Sequence, residues 1–99
     1  MTQALLVLVS CEDGGQAQRI GEKLLKAKLA ACVQIIEQTS SMFLWPPGKN
    51  RLDYGEEGLL LIKTLERKWP ALEKEIQKLH SYENPEIIAV PLVPVSWFV

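Results

Sequence analysis

Six apolar residues in a row, Ala4-Leu5-Leu6-Val7-Leu8-Val9, set the strongest limit on what this chain folds into. A strand with one wet face alternates apolar and polar residues, because successive side chains point to opposite sides. An unbroken run needs cover on both sides and reads as a central strand of a sheet. It is far shorter than the ~20 residues of a membrane-spanning helix. It lacks the basic start of a secretory leader, and Glu12-Asp13 come directly after it. Leu8-Val9-Ser10-Cys11 resembles a lipoprotein cleavage site; without a basic start and a longer apolar stretch, it reads as the end of the buried strand.

The other periodicities supply the partners of that strand. After Gly14-Gly15, the residues Ala17, Ile20, Gly21, Leu24, Leu25 and Lys28 recur at helical spacing and predict an amphipathic helix of about four turns. Residues 31–36 change to a period of two, with Cys32, Gln34 and Ile36 on one face. Residues 41–45 form a second extended stretch running into Pro46-Pro47-Gly48, and residues 58–64 return as a strand, so the middle of the chain is a long hairpin. Trp69, Leu72, Ile76 and Leu79 mark a second helix with Pro70 in its first turn. Residues 86–90 are the last strand, and Pro91 and Pro94 confine the remaining residues to an edge or a bulge.

The order β-α-β-β-α-β is the ferredoxin-like pattern: one α+β domain over residues 1–99, with two helices on one face of a four-stranded antiparallel sheet. The other face is left bare, and Leu, Ile and Val on both sides of its strands require a cover. The ending Pro94-Val95-Ser96-Trp97-Phe98-Val99 adds two large aromatics at a terminus. Such a tail docks on a neighbouring subunit or folds back on its own helices.

Composition narrows the partners. Eleven basic against twelve acidic residues leave a net charge of −1, which attracts neither nucleic acid nor an anionic membrane. An RNA-binding domain of the same element order stacks bases on aromatics of its central strands, and residues 5–9 and 59–62 contain none. Cys11 and Cys32 form no C-x-x-C pair and suit a reducing, cytoplasmic compartment as free thiols. Cys11, beside Glu12 and Asp13 at the start of a loop, reads as the more exposed of the two, its pKa held up by those carboxylates.

Four segments in order carry a resemblance. They are Leu29-Ala30-Ala31-Cys32-Val33, then Ser41-Met42-Phe43-Leu44-Trp45, then Glu57 with Lys63-Thr64, then His80-Ser81-Tyr82-Glu83-Asn84-Pro85-Glu86. Over nearly its whole length the chain resembles the CutA family of divalent-cation tolerance proteins. The resemblance implies a ferredoxin-like subunit in a homotrimer, its hairpin and C-terminal segment reaching neighbouring copies. It also implies a role in tolerance to divalent cations such as copper. The chain departs from the family pattern at Gln34, Phe43, Ser81 and Cys11-Glu12-Asp13, which touches any ligand site rather than the fold.

Copper and zinc favour thiolate and imidazole ligands, three or four together. The candidates are Cys32, His80 and Glu83, with Glu57 and Glu86 as carboxylate helpers, converging only if copies meet. The plainer reading packs Cys32 in the core and sets His80 at the end of the second helix. A small-molecule sensor of the PII-like type is the alternative, with Trp45, Glu57, Lys63, Tyr82, Glu86 and Trp97 at an intersubunit cleft or interface. Glu57 and Lys63, six apart on a strand, share a face about 20 Å apart and must find partners elsewhere. Nothing places Cys32, His80 and Glu83 as nucleophile, base and orienting acid, so no enzyme is expected.

Overall fold

The computed structural model describes residues 3–93; the aromatic tail, with Trp97, lies outside them. The elements are β1 (Ala4–Cys11), α1 (Gly14–Lys26), β2 (Cys32–Leu44), β3 (Leu52–Leu65), a 3₁₀ turn (Glu66–Lys68), α2 (Trp69–Leu79) and β4 (Ile87–Leu92). The sheet is antiparallel in the order β2-β3-β1-β4, with the apolar run of β1 at its centre. This is the expected α+β architecture.

β1 shows why the apolar run is unbroken. Leu5, Val7, Val9 and Cys11 face the helices and are buried, as are Leu60 and Ile62 of β3. Ala17, Ile20 and Leu24 of α1 and Leu72 and Ile76 of α2 close this core. Leu6 and Leu8 face the other way. Leu8 lies between Leu61 and Ile88, and Leu6 between Lys63 and Val90. With Leu59 and its partner Ile36, these residues form an apolar sheet face that no element of the described chain covers, and Ile36, Ile88 and Val90 stand exposed on it.

α1 begins where Asp13 caps it: its Oδ1 accepts from the Gln16 amide at 2.8 Å. Gly14 and Gly15 are therefore the first turn of the helix rather than a break before it. The capping loop crosses directly over β3. A Cβ on Gly58 would sit 2.5 Å from the Asp13 carbonyl carbon and oxygen, so only glycine lets the backbones pass. Cys11 ends β1 and is fully buried, which corrects its reading as the more exposed thiol: the strand runs two residues past the apolar run before the loop begins.

β2 is one strand, not two pieces. Residues 32–36 pair with 59–63 in one register, and residues 39–44 pair with 52–57 in a register shifted by one, so Glu37 and Gln38 sit in a bulge. Beyond it the hairpin projects past the helices, and Met42, Leu44, Leu52 and Tyr54 form an exposed apolar patch on its helix-side face. The turn is closed by Trp45 N–H donating to Arg51 O at 2.8 Å, with Gly48 at φ +82°. Pro91 sits within β4, which is tolerated because β4 is an edge strand.

The Gly58 crossing generates a test. Gly58→Ala is expected to lower stability by about 1–3 kcal/mol, seen as a lower urea midpoint with an unchanged slope. A midpoint equal to wild type would mean that the loop does not pass so close.

Candidate functional site

A polar network forms where the loop after α2 meets the sheet. His80 comes directly after α2, its amide bonded to Ile76 O at 2.9 Å, and its ring is buried. The Tyr82 amide donates to Nδ1 at 3.0 Å, so the ring proton sits on Nε2, which donates to Ser10 O at 2.7 Å. Those two bonds fold the loop back, and the His80 and Tyr82 rings stack obliquely with centroids 4.7 Å apart. The Tyr82 hydroxyl reaches Glu57 Oε2 at 3.3 Å, and Ser41 Oγ donates to Glu57 Oε1 at 3.3 Å. Ser10 Oγ lies 3.4 Å from Glu86 Oε1, which ties the start of β4 into the same network.

Burial, then the Glu57 carboxylate, raises the Tyr82 hydroxyl above its ordinary pKa. Cys11 lies on the core side of this region. Burial first, then Glu57 and Asp13, push its thiol up to about 11. It is a protonated structural thiol at neutral pH, as the adjacent carboxylates suggested, although burial is the larger cause. Glu12, Asp13, Glu37, Gln38, Glu56 and Glu57 line an open groove of about 200 Å³ beside it.

The structure thus brings His80, Tyr82, Glu57 and Glu86 together, with Glu83 exposed in the same loop. It does not bring Cys32 or Lys63 to them. Cys32 pairs with Lys63, which lies opposite Leu6, whereas His80 bonds the carbonyl of Ser10. Four residues of β1 separate the two levels, about 13 Å along the strand. Trp45 is farther away at the hairpin end, where Trp45, Pro46, Arg51, Leu52 and Asp53 line a cavity of about 250 Å³. Within one chain Cys32, His80 and Glu83 do not fit a copper or zinc centre, and among the described residues no three His, Cys, Asp or Glu side chains are placed to hold an ion. Cys32 itself is half-buried on the bare sheet face rather than in the helix-side core. Glu57, expected to find partners other than Lys63, bonds with Ser41 and Tyr82 of its own chain. Ser10 and Ser41 join the network without having been among the expected site residues. Ser10 carried a signal: it is the polar residue of β1 on the face of Leu6 and Leu8.

The family model described as CutA1 divalent ion tolerance protein matches residues 5–97. The chain belongs to this family. It is 38% identical over 84 residues to the protein CutA homolog of Xenopus laevis, covering 85% of this chain and 54% of that relative. It is 34% identical over 92 residues to the divalent-cation tolerance protein CutA of Thermus thermophilus, covering 93% of this chain and 84% of that one. The chain therefore spans about half the length of the frog relative and most of the bacterial one. The crystal structure of CutA1 from Oryza sativa superposes with a TM-score of 0.86 at 30% identity, covering 95% of this chain and 84% of the other. Among the described residues no helix is long and apolar enough to cross a membrane.

The network generates two tests. The Cys11 pKa is about 11 in the folded chain against an ordinary 9.0, so the folded state holds the proton more tightly. That stability is fully present below pH 9 and is lost as pH rises toward 11, on the order of 3 kcal/mol. Urea midpoints measured across this window should fall more steeply for wild type than for Cys11→Ala; parallel curves would refute the coupling. Tyr82→Phe, which removes the hydroxyl from Glu57, should cost about 0.5–1.5 kcal/mol and speed amide exchange in residues 81–86. Unchanged exchange there would mean that the bond does not hold the loop.

Proposed function

We propose that the chain serves divalent-cation tolerance as a cytoplasmic, non-catalytic homotrimer, taking copper or zinc at ligands supplied by more than one copy. The observation that carries this reading is the uncovered apolar sheet face of Leu6, Leu8, Leu59, Leu61, Ile36, Ile88 and Val90. A face of that composition is stable in water only when covered, and further copies of this chain offer apolar surface to cover it. The family model and the Thermus relative both carry divalent tolerance in their names. Cys32 lies on the face that association would bury, and Glu83 is exposed in the loop that a neighbour could reach. His80 joins them only by giving up its bond from the Tyr82 amide. The two free thiols, Cys11 and Cys32, support the reducing compartment.

A second reading, a PII-like sensor of small molecules, is favoured by one feature: the Glu57–Tyr82 pair stands at the root of a projecting hairpin, where a neighbour would complete a cleft with Lys63, Trp45 or Glu86. Nucleotides and small anions that raise the melting temperature of wild type but not of Tyr82→Phe would support it.

Sedimentation of a dilute sample should give three times the 11.2 kDa of the single chain. Equilibrium dialysis against Cu²⁺ and Zn²⁺ should show bound ion, with lower stoichiometry in Cys32→Ala and in His80→Ala. A monomer, or undiminished stoichiometry in both variants, would remove the shared site.

A further inference from the structure

α1 carries three cations at spacings of four and three residues, Arg19, Lys23 and Lys26, which places them in one exposed stripe. The favourable end of the helix dipole accounts for Lys23 and Lys26 in the last turn, but not for Arg19 in the middle. Like charges four apart on a helix repel, so Arg19 and Lys23 weaken the helix they sit on. Glu22, the acidic residue of α1, is bonded by Gln18 at 3.2 Å.

Arg19 and Lys23 also form the rim of a groove of about 170 Å³ between α1 and the C-terminal end of α2. Ile20 and Leu79 supply its apolar lining, and Gln16 is its remaining wall. Ile20 belongs to the core, and Leu79 packs against it, so the lining is held rigidly. Of the charged residues of α2, Lys74 and Lys78 are exposed, and Glu73 and Glu75 are half-buried. The groove lies on the helix layer, opposite the apolar sheet face. On the reading that copies associate through that sheet face, the groove stays open in the assembly.

We propose that this groove docks an acidic peptide segment, which inserts one aliphatic side chain against Ile20 and Leu79 and sets flanking carboxylates on Arg19 and Lys23. Ile20 is only 2% exposed, so Leu79 supplies most of the apolar surface, enough for one side chain and not the broad apolar surface that a lipid layer engages. An extended polyanion or anionic membrane meets repulsion from the Glu12, Asp13, Glu37 and Glu56 carboxylates near the start of α1 and from the net charge of −1. A short segment held at Arg19 and Lys23 extends over fewer of those carboxylates. The planar guanidinium of Arg19 offers a carboxylate two parallel hydrogen bonds, and Lys23 adds a second charge one turn on.

Fluorescence anisotropy with a fluorescein-labelled Glu-Glu-Leu-Glu-Glu peptide tests this. Saturable binding is expected, weakened at least tenfold in the Arg19→Gln/Lys23→Gln double variant and by replacing the peptide's leucine with serine. Equal binding by the double variant, equal binding of the serine peptide, or no binding below about 1 mM would overturn it. Capture on phosphatidylserine vesicles without peptide binding would overturn it in favour of a lipid surface. Sedimentation of the double variant as wild type shows that the lost binding is local. A monomeric wild type that still binds the peptide would remove the proposed assembly and leave this groove standing.

Discussion

One imbalance governs the molecule: a sheet with two apolar faces and helices enough for only one. On β1 the two demands alternate residue by residue. Val7 and Val9 have helices above them, and Leu6 and Leu8 have none. Between the two helices and the sheet lies a closed core of ordinary kind. The far side is left uncovered by the described residues. The polar groups that could do chemistry lie at the margins of that uncovered face, Cys32 and Lys63 toward one end and Glu57 toward the other.

The network at Ser10, Ser41, Glu57, His80 and Tyr82 is better described as a fastening than as a centre of reactivity. Its bonds join four parts of the chain: β1, β2, β3 and the loop before β4. His80 is fully used by it, both ring nitrogens being engaged within the subunit. Any role for this imidazole toward an ion competes with a structural one. Such competition is a physical means of coupling occupancy at the loop to its conformation.

Much of the fold could be read from residue order alone, because strands and helices that bury one face leave periodic traces. Ile20 and Leu24, and Leu72 and Ile76, sit where helical spacing put them, and the bare face was implied by counting helices against the apolar residues of β1. Local detail failed where a tertiary contact overrode the local pattern. Residues 37–40 fell between two expected extended stretches, yet they lie within a continuous strand. Cys11 looked like loop because acidic residues come after it, yet it completes the core. The site was least legible. The partners of His80 come from its own loop and from a carbonyl seventy residues away, and backbone carbonyls leave no trace in side-chain identity. Ser41 gained its role only through the register of the hairpin.

That register has a consequence of handedness. One surplus residue in β2 exchanges odd for even. Inside the bulge Cys32, Gln34 and Ile36 look away from the helices, whereas outside it Thr39, Ser41 and Phe43 do. Paired in the ladder instead of bulged out, that residue would turn the distal part of β2 over. Ser41 would then look away from Glu57, and Met42 and Leu44 would exchange sides with Phe43. The projecting arm owes which way it faces to a single unpaired position near its base.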